Sequence, residues 1–312
     1  MVNGIGGVML ECRDPRPEPR MVLARPGPAL HGHVSGYAGL RVEAARPLNG
    51  RAVPTCTVAL FIDFTASVRL ITTPTPARVQ ASHVTGLHDG PVLFEQQSHH
   101  RGMAVELTPP GAHALFGMPM RELSNTTVDL ADLLGHRGEQ LTERLWQAPD
   151  WATRFALLDH LLPAWFRAGP EPAPAVLRAW RLLRRTAGAI SVGALAEEIG
   201  VTRRYLEMRF GEQIGLPPKT MARILRFQRA ARLLTRSPGA TLPRVATACG
   251  YADQAHFNRD FRRLAGCTPT AFRAEHAATT TASRGSAAVG DRCAGRGAGP
   301  SHSFNTSVRG RP

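Results

Sequence analysis

No stretch of this 312-residue sequence stays apolar for the ~18 residues that a membrane span needs, and the expectation is a chain without membrane segments. The opening, MVNGIGGVMLECRDPRPEPR, lacks a basic region followed by an apolar core. It does not read as a signal peptide, which points to the cytoplasm. Cysteines are few and odd in number, at 12, 56, 249, 267 and 293, with no CxxC pair. That spacing argues against a disulfide framework or a thiolate metal site and for reduced thiols. Also missing are a Gly-rich phosphate loop, an HExxH helix and a nucleophile elbow. Neither an enzymatic activity nor a cofactor is therefore expected. Lysine is almost absent, with Lys219 alone among 38 basic residues; the bias carries no functional weight.

The charge that is present is unevenly placed. Residues 1–170 hold 15 arginines against 15 acidic residues, whereas residues 171–276 hold 18 basic against 8 acidic ones. The remaining residues from 277 add a further +4. A neutral first half joined to a basic second half points to a polyanionic partner for the latter, with double-stranded DNA favoured over a membrane surface.

Local patterns divide the chain further. Residues 1–20, rich in Gly, Pro and Arg, show no periodicity and are expected to be disordered. From 21 to about 128, short runs such as VALFIDF (58–64), SVRLIT (67–72) and GMAVELT (102–108) alternate with Pro and Gly, as strands of a barrel or sandwich do. Helical periodicity takes over in EQLTERLWQ and WATRFALLDHLLPAWF, closing a 21–167 unit. AGPEPAPA (168–175) reads as a linker, 176–276 as helices, and 277–312 as a low-complexity, disordered tail.

Within 176–276 one pattern occurs twice. In SVGALAEEIGVTRRYLEMRFGE (191–212), Val192, Leu195, Ala196 and Ile199 form a helical stripe that ends at Gly200. Thr202 then caps a second helix carrying Leu206 and Phe210 on its inner side. TLPRVATACGYADQAHFNRDFRRL (241–264) repeats this with Leu242, Val245, Ala246 and Cys249, then Gly250, then Phe257, Phe261 and Leu264. Each repeat reads as a helix-turn-helix, with the outer face of its second helix available to a major groove about 12 Å wide. PPKTMARILRFQRAARLLTRS (217–237) keeps helical periodicity between them. At 1.5 Å per residue it predicts a rod of roughly 30 Å, close to the ~34 Å that separates successive grooves on one side of B-DNA. Its Arg223, Arg226, Arg229 and Arg232 point in different directions, so at most two of them can face DNA.

Ala230, Leu233 and Leu234 together with VATACGYADQAHFNRDFRRLAGCTPTAFR (245–273) resemble the AraC/XylS family of bacterial transcription regulators, over about a third of the chain. The resemblance implies an α+β multidomain protein. A β-rich, barrel- or sandwich-like (cupin-like) sensor domain would precede an all-α domain of two helix-turn-helix units joined by a long helix. It also implies a sequence-specific DNA-binding regulator, commonly an activator, with RNA polymerase as protein partner. A small-molecule effector and homodimer formation come with the family and stay open here. Matching positions in the second helices make Arg203, Arg204, Glu207 and Met208 of the first unit DNA-binding candidates, with Gln254, His256, Asn258 and Arg259 of the second. Arginine suits guanine and Gln254 suits adenine, while Met208 offers a thymine methyl only apolar contact. Glu207 either accepts from a cytosine amino group or orients Arg203 or Arg204.

The first half is less legible. Residues 101–135 resemble, more loosely, a β-rich sensor region of actinobacterial-type regulators. A cupin metal site needs His-x-His followed within four residues by Glu; His31 and His33 start the pattern, but no acid comes until Glu43. His99 and His100 read as surface histidines. The alternative function, an enzymatic or metal-binding first half fused to a DNA-binding arm, would be recognised by stoichiometric metal in the purified protein.

Overall fold

The computed structural model describes residues 8–11, 20–43, 48–65, 68–70, 77–79, 82–237 and 239–277. Strands come first. β1 (Val8–Glu11), β2 (Arg20–Ala24), β3 (Val34–Glu43), β4 (Leu48–Ala52), β5 (Val58–Asp63), β6 (Val68–Leu70), β7 (Ala77–Val79), β8 (His83–Thr85), β9 (Val92–Gln96), β10 (His99–Leu107) and β11 (Thr127–Asp129) form two antiparallel sheets. Their orders are β1-β4-β9-β6-β7 and β11-β8-β5-β10-β3-β2. β1 lies inside the 1–20 segment expected to be disordered and corrects that expectation: its residues pair with β4 from Val8↔Ala52 to Glu11↔Asn49. The rest of 1–20 apart from Arg20, and 278–312 of the expected tail, lie outside the described residues.

Pairing explains the burial of the larger sheet. Met103 and Val105 stand opposite Ile62 and Leu60 on one side and Gly39 and Tyr37 on the other, so these residues share a face. All of them except glycine are large, and each is at most 3% exposed. The opposite face of the same three strands carries Ala38, Ala59 and Ala104. Helix α4 (Trp151–Ala168) covers the large-residue face: Phe155 stacks on Tyr37 at 5.6 Å, and Asp159 accepts the Tyr37 hydroxyl hydrogen at 2.9 Å. The Trp151 ring lies over Gly39, where any Cβ would come within 2.4 Å of the indole. Only glycine allows that approach. Burial raises the Tyr37 hydroxyl pKa, and the adjoining Asp159 charge raises it further.

Three helices precede α4. Thr108 accepts from the Gly111 N–H to cap α1 (Pro109–Phe116), and α2 (Leu130–Leu134) and α3 (His136–Gln147) follow β11. Arg154 of α4 is 2% exposed and closes the end of α3 by donating to the carbonyls of Leu145 and Ala148. Its guanidinium stacks beneath Trp151 at 5.0 Å and Phe64 at 5.2 Å. A cation at a helix C-terminus meets the negative end of the peptide dipoles, which offsets its burial.

From Pro174 onward every regular element among the described residues is helical: α5 (Pro174–Arg185), α6 (Val192–Ile199), α7 (Arg203–Ile214), α8 (Pro218–Arg236), α9 (Leu242–Ala248), α10 (Gln254–Ala265) and a last helical stretch at 269–277. The fold is thus a β-rich N-terminal region followed by a helical C-terminal one. One hydrophobic cluster runs through both, from Leu30 to Phe272. The segment between α4 and α5 is pinned at each end. Gly169 packs on the Ala114 carbonyl, and the Ala173 N–H donates to Gln213 of α7 at 2.8 Å.

Candidate nucleic-acid interface

The two repeats fold alike because the same residue types fall at the same steps. Residues 191–200 and 241–250 bury and expose the same positions, one for one. Leu195, Ala196 and Ile199 are buried in α6, as are Val245 and Ala246 in α9 and Cys249 just after it. Both first helices end at a left-handed glycine, Gly200 (φ +77) and Gly250 (φ +74), a conformation that costs other residues about 1 kcal/mol or more. Thr202 caps α7 by accepting from the Tyr205 N–H at 3.2 Å. Asp253 caps α10 by accepting from the His256 N–H at 2.6 Å.

One extra residue in the second turn shifts the register of α10 against α7 to 51. Leu206 therefore matches Phe257, and the pairs Arg203/Gln254, Tyr205/His256, Glu207/Asn258, Met208/Arg259 and Arg209/Asp260 occupy equivalent helical positions. α8, 19 residues without an internal proline, joins the units as one continuous helix of roughly 28 Å. Met221, Ile224, Leu225 and Leu234 are buried along it, and Ala231 is half-buried.

On α7 the candidate side chains lie at the surface. Met208 is 61% exposed, and Arg204 is also exposed. Arg203 Nε donates to Glu207 Oε1 at 2.9 Å, an exposed pair between successive turns of α7. Tyr205 was missed by sequence reasoning; it is 37% exposed on the same stretch of helix. Its signal was the 51-residue register, which makes it the counterpart of His256.

α10 is tied more closely to its scaffold. Gln254 and Arg259 are exposed. His256, by contrast, sits edge-on to Tyr251 at 5.4 Å, with Nε2 3.7 Å from Asp260 Oδ2. Asn258 is half-buried, and its Oδ1 is turned inward without a hydrogen-bond partner. Asp260 is 9% exposed and accepts two bonds from Arg223 of α8, from Nη2 at 2.8 Å and from Nε at 3.3 Å. Arg226 lies 5.3 Å above the Tyr251 ring. Burial pushes the Tyr251 hydroxyl pKa up, with the Asp260 charge adding to it. Two of the five α8 arginines are thereby engaged inside the domain, and Arg229, Arg232 and Arg236 remain at its surface.

Among the described residues no group of three or more His, Cys, Asp or Glu could hold a metal ion, and no helix is long and apolar enough to cross a membrane. His99 is exposed as expected, but His100 is not. It is 7% exposed, with Nε2 3.4 Å from Asp63 and His83 on the carboxylate's other side at 3.4 Å. A strand points successive side chains to opposite faces, so one of two adjacent histidines turns inward.

Comparison with known proteins adds the following. A helix-turn-helix domain family matches residues 195–275, and a domain of unknown function (DUF6597) matches residues 23–129. The F1 operon positive regulatory protein of Yersinia pestis is 36% identical over 84 residues, 27% of this chain and 28% of that protein. The transcriptional activator RhaS of Escherichia fergusonii is 34% identical over 87 residues, 28% of this chain and 31% of that protein. The match thus spans less than a third of these relatives' length. Among solved structures, the DNA-binding domain of AdpA, a global transcriptional factor in complex with a target DNA, is 28% identical. It covers 34% of this chain and 95% of its own, with a TM-score of 0.32.

Proposed function

We propose, from the match of residues 195–275 to a helix-turn-helix domain family, that the chain is a sequence-specific transcription regulator of AraC type which reads two successive major grooves of one DNA duplex. One observation carries this reading: two exposed helix faces in a 51-residue register stand on a single unbroken helix of about groove-repeat length. In the first groove Arg204 and Met208 read bases while Glu207 holds Arg203 in place. In the second, Gln254 takes the readable position, Arg259 adds affinity at the backbone, and His256 and Asn258 support the helix from its flank. Other arginines of the basic half fix the register on phosphates.

The regulator acts in the cytoplasm, as an activator with RNA polymerase as its protein partner, and performs no catalysis itself. The β-rich half is its control element, through a small-molecule effector or the pairing of two copies. The test is selection from a pool of random duplexes followed by footprinting. Two protected segments about one helical turn apart, with Arg204→Ala losing discrimination and Arg259→Ala losing affinity, are expected. Equal affinity for selected and random duplexes at every salt concentration would overturn the reading.

A further inference from the structure

The two recognition helices end at equivalent glycines, Gly215 after α7 and Gly266 after α10, again 51 residues apart. Both glycines abut the β-rich half. A Cβ on Gly215 would come within 2.9 Å of Ser124 Oγ and 3.0 Å of the Met120 carbonyl. One on Gly266 would lie 3.2 Å from Pro91 and 3.8 Å from Arg51. The N-terminal half therefore has two seats, one per unit, built from separate parts of its own chain. The 3-10 turn Met120–Leu123 forms the first. The end of β4 and the loop before β9, adjacent because Ala52 pairs with Val92, form the second.

The second seat is charged. Arg51, with its side chain 13% exposed, forms an ion pair with Glu275, 224 residues away and 30% exposed. A guanidinium buried to that degree needs a carboxylate, and this one comes from the last helical stretch rather than from its own sheet. On the rim, Asp89 lies 3.8 Å from Arg263 of α10. That exposed pair contributes direction more than strength.

We propose that Arg51 and Asp89 are positioning residues for the second reading unit: they hold the C-terminal end of α10 and the helical stretch after it against the β-rich half, so that this half, already seated on α7, sets the angle between the two recognition helices. α8 links the units covalently, and the N-terminal half links them a second time through space. An event in the β-rich half thus reaches DNA by shifting one seat against the other. The inference rests on the proposed DNA-reading function for its consequence but not for its geometry.

The test uses the full chain as parent, Arg51→Glu, Glu275→Arg and the double exchange, with Asp89→Arg as a surface variant that spares the buried pair. Hydrogen exchange is followed in 203–214 and in 254–277, and footprints are taken on duplexes selected by the parent from a random pool. Arg51→Glu is expected to speed exchange in 254–277 while sparing 203–214, and to erase the second protected segment while keeping the first. The double exchange restores both, and Asp89→Arg reproduces the loss more weakly. Unchanged exchange in 254–277, equal loosening of both units, or no restoration by the double exchange overturns the proposal. A parent that protects no pair of segments would sink the DNA-reading function instead, and the exchange arm would still decide whether the seat exists.

Discussion

The two helix-turn-helix units are built on one plan, yet they spend their polar residues differently. At equivalent positions the first unit has Arg209 and the second Asp260. Arg209 pairs with Glu212 of its own helix at 2.7 Å, both about one-third exposed. Asp260 is buried and reaches across to Arg223 of α8. Similarly, Tyr205 stands out from α7, while its counterpart His256 turns back onto Tyr251 and Asp260. The second unit also has the richer aromatic core: Phe261 touches Phe227 at 4.9 Å, Phe257 at 5.5 Å and Phe272 at 5.3 Å. The two units share a scaffold, but one leaves its second helix open at the surface and the other clamps its second helix to the spacer.

The largest break in this comparison comes from the aromatic core. Phe261→Ala removes the side chain that joins α8, α10 and the last helical stretch, and it should cost about 3–5 kcal/mol. Urea denaturation measures the loss. Hydrogen exchange should place it in 254–277 before 203–214; a loss shared evenly by both units would contradict the clamped picture.

The paired polar positions come next. Asp260→Ala strands the Arg223 guanidinium and should cost about 1.5–3 kcal/mol, the range for hydrogen bonds to charged groups. Arg209→Ala, at the same helical position in the first unit, should cost about 0.5 kcal/mol or less, because both it and its partner are about one-third exposed. Thermal denaturation of the two variants side by side gives the contrast directly, and similar losses would mean that burial does not separate the two sites.

Why was so much of the duplication legible, and so little of what holds it? Leu195, Ala196 and Ile199 repeat as Val245, Ala246 and Cys249, each set followed by a left-handed glycine, and such local periodicity survives in any amphipathic helix. α1 was hidden for the opposite reason. Residues Pro109 to Leu115 are all buried, so the helix has no polar face to betray its period. β1 was obscured by its Gly- and Pro-rich flanks. Of the candidate contacts, the helix positions could be read, but not their directions: nothing local says that His256 leans on Tyr251 or that Glu207 is taken by Arg203. The Arg51–Glu275 pair joins residues with no periodic relation, so only the folded chain reveals it.

Exchange of the equivalent outer residues sharpens the comparison on DNA. Met208→Arg copies the second unit's Arg259 into the first, and Arg259→Met does the reverse. Each arginine gained or lost at phosphate distance should change the slope of log affinity against log salt by about 0.9. Met208→Arg is therefore expected to tighten binding to random duplexes and blunt the preference for selected ones, whereas Arg259→Met should weaken both in parallel. Binding titrations at several salt concentrations measure this. If Met208→Arg raised affinity for the selected duplex alone, the first unit would be reading a base at that position that arginine reads better.

The smallest expected effect contrasts the two halves of the chain rather than the two units. Burial holds the pKa of His33, His88 and His100 in the β-rich half below the ordinary histidine value, partly opposed at His100 by Asp63. In the helical half His276 is lowered in this way, again chiefly by burial. A histidine with a depressed native pKa binds its proton more readily in the unfolded chain. Its contribution is therefore intact above the unfolded value of about 6.5 and is lost as pH falls below it. Lowering the pH from about 7.5 to 5.5 should thus reduce amide protection, measured against the intrinsic exchange rate at each pH, in β5, β8 and β10 more than in α7 and α10. His100→Gln, which cannot take up the proton, should flatten that difference. A loss of protection shared equally by both halves would mean that the buried histidines do not govern the acid response, and a chain made more acid-sensitive by His100→Gln would mean that protonation of His100 stabilises the fold.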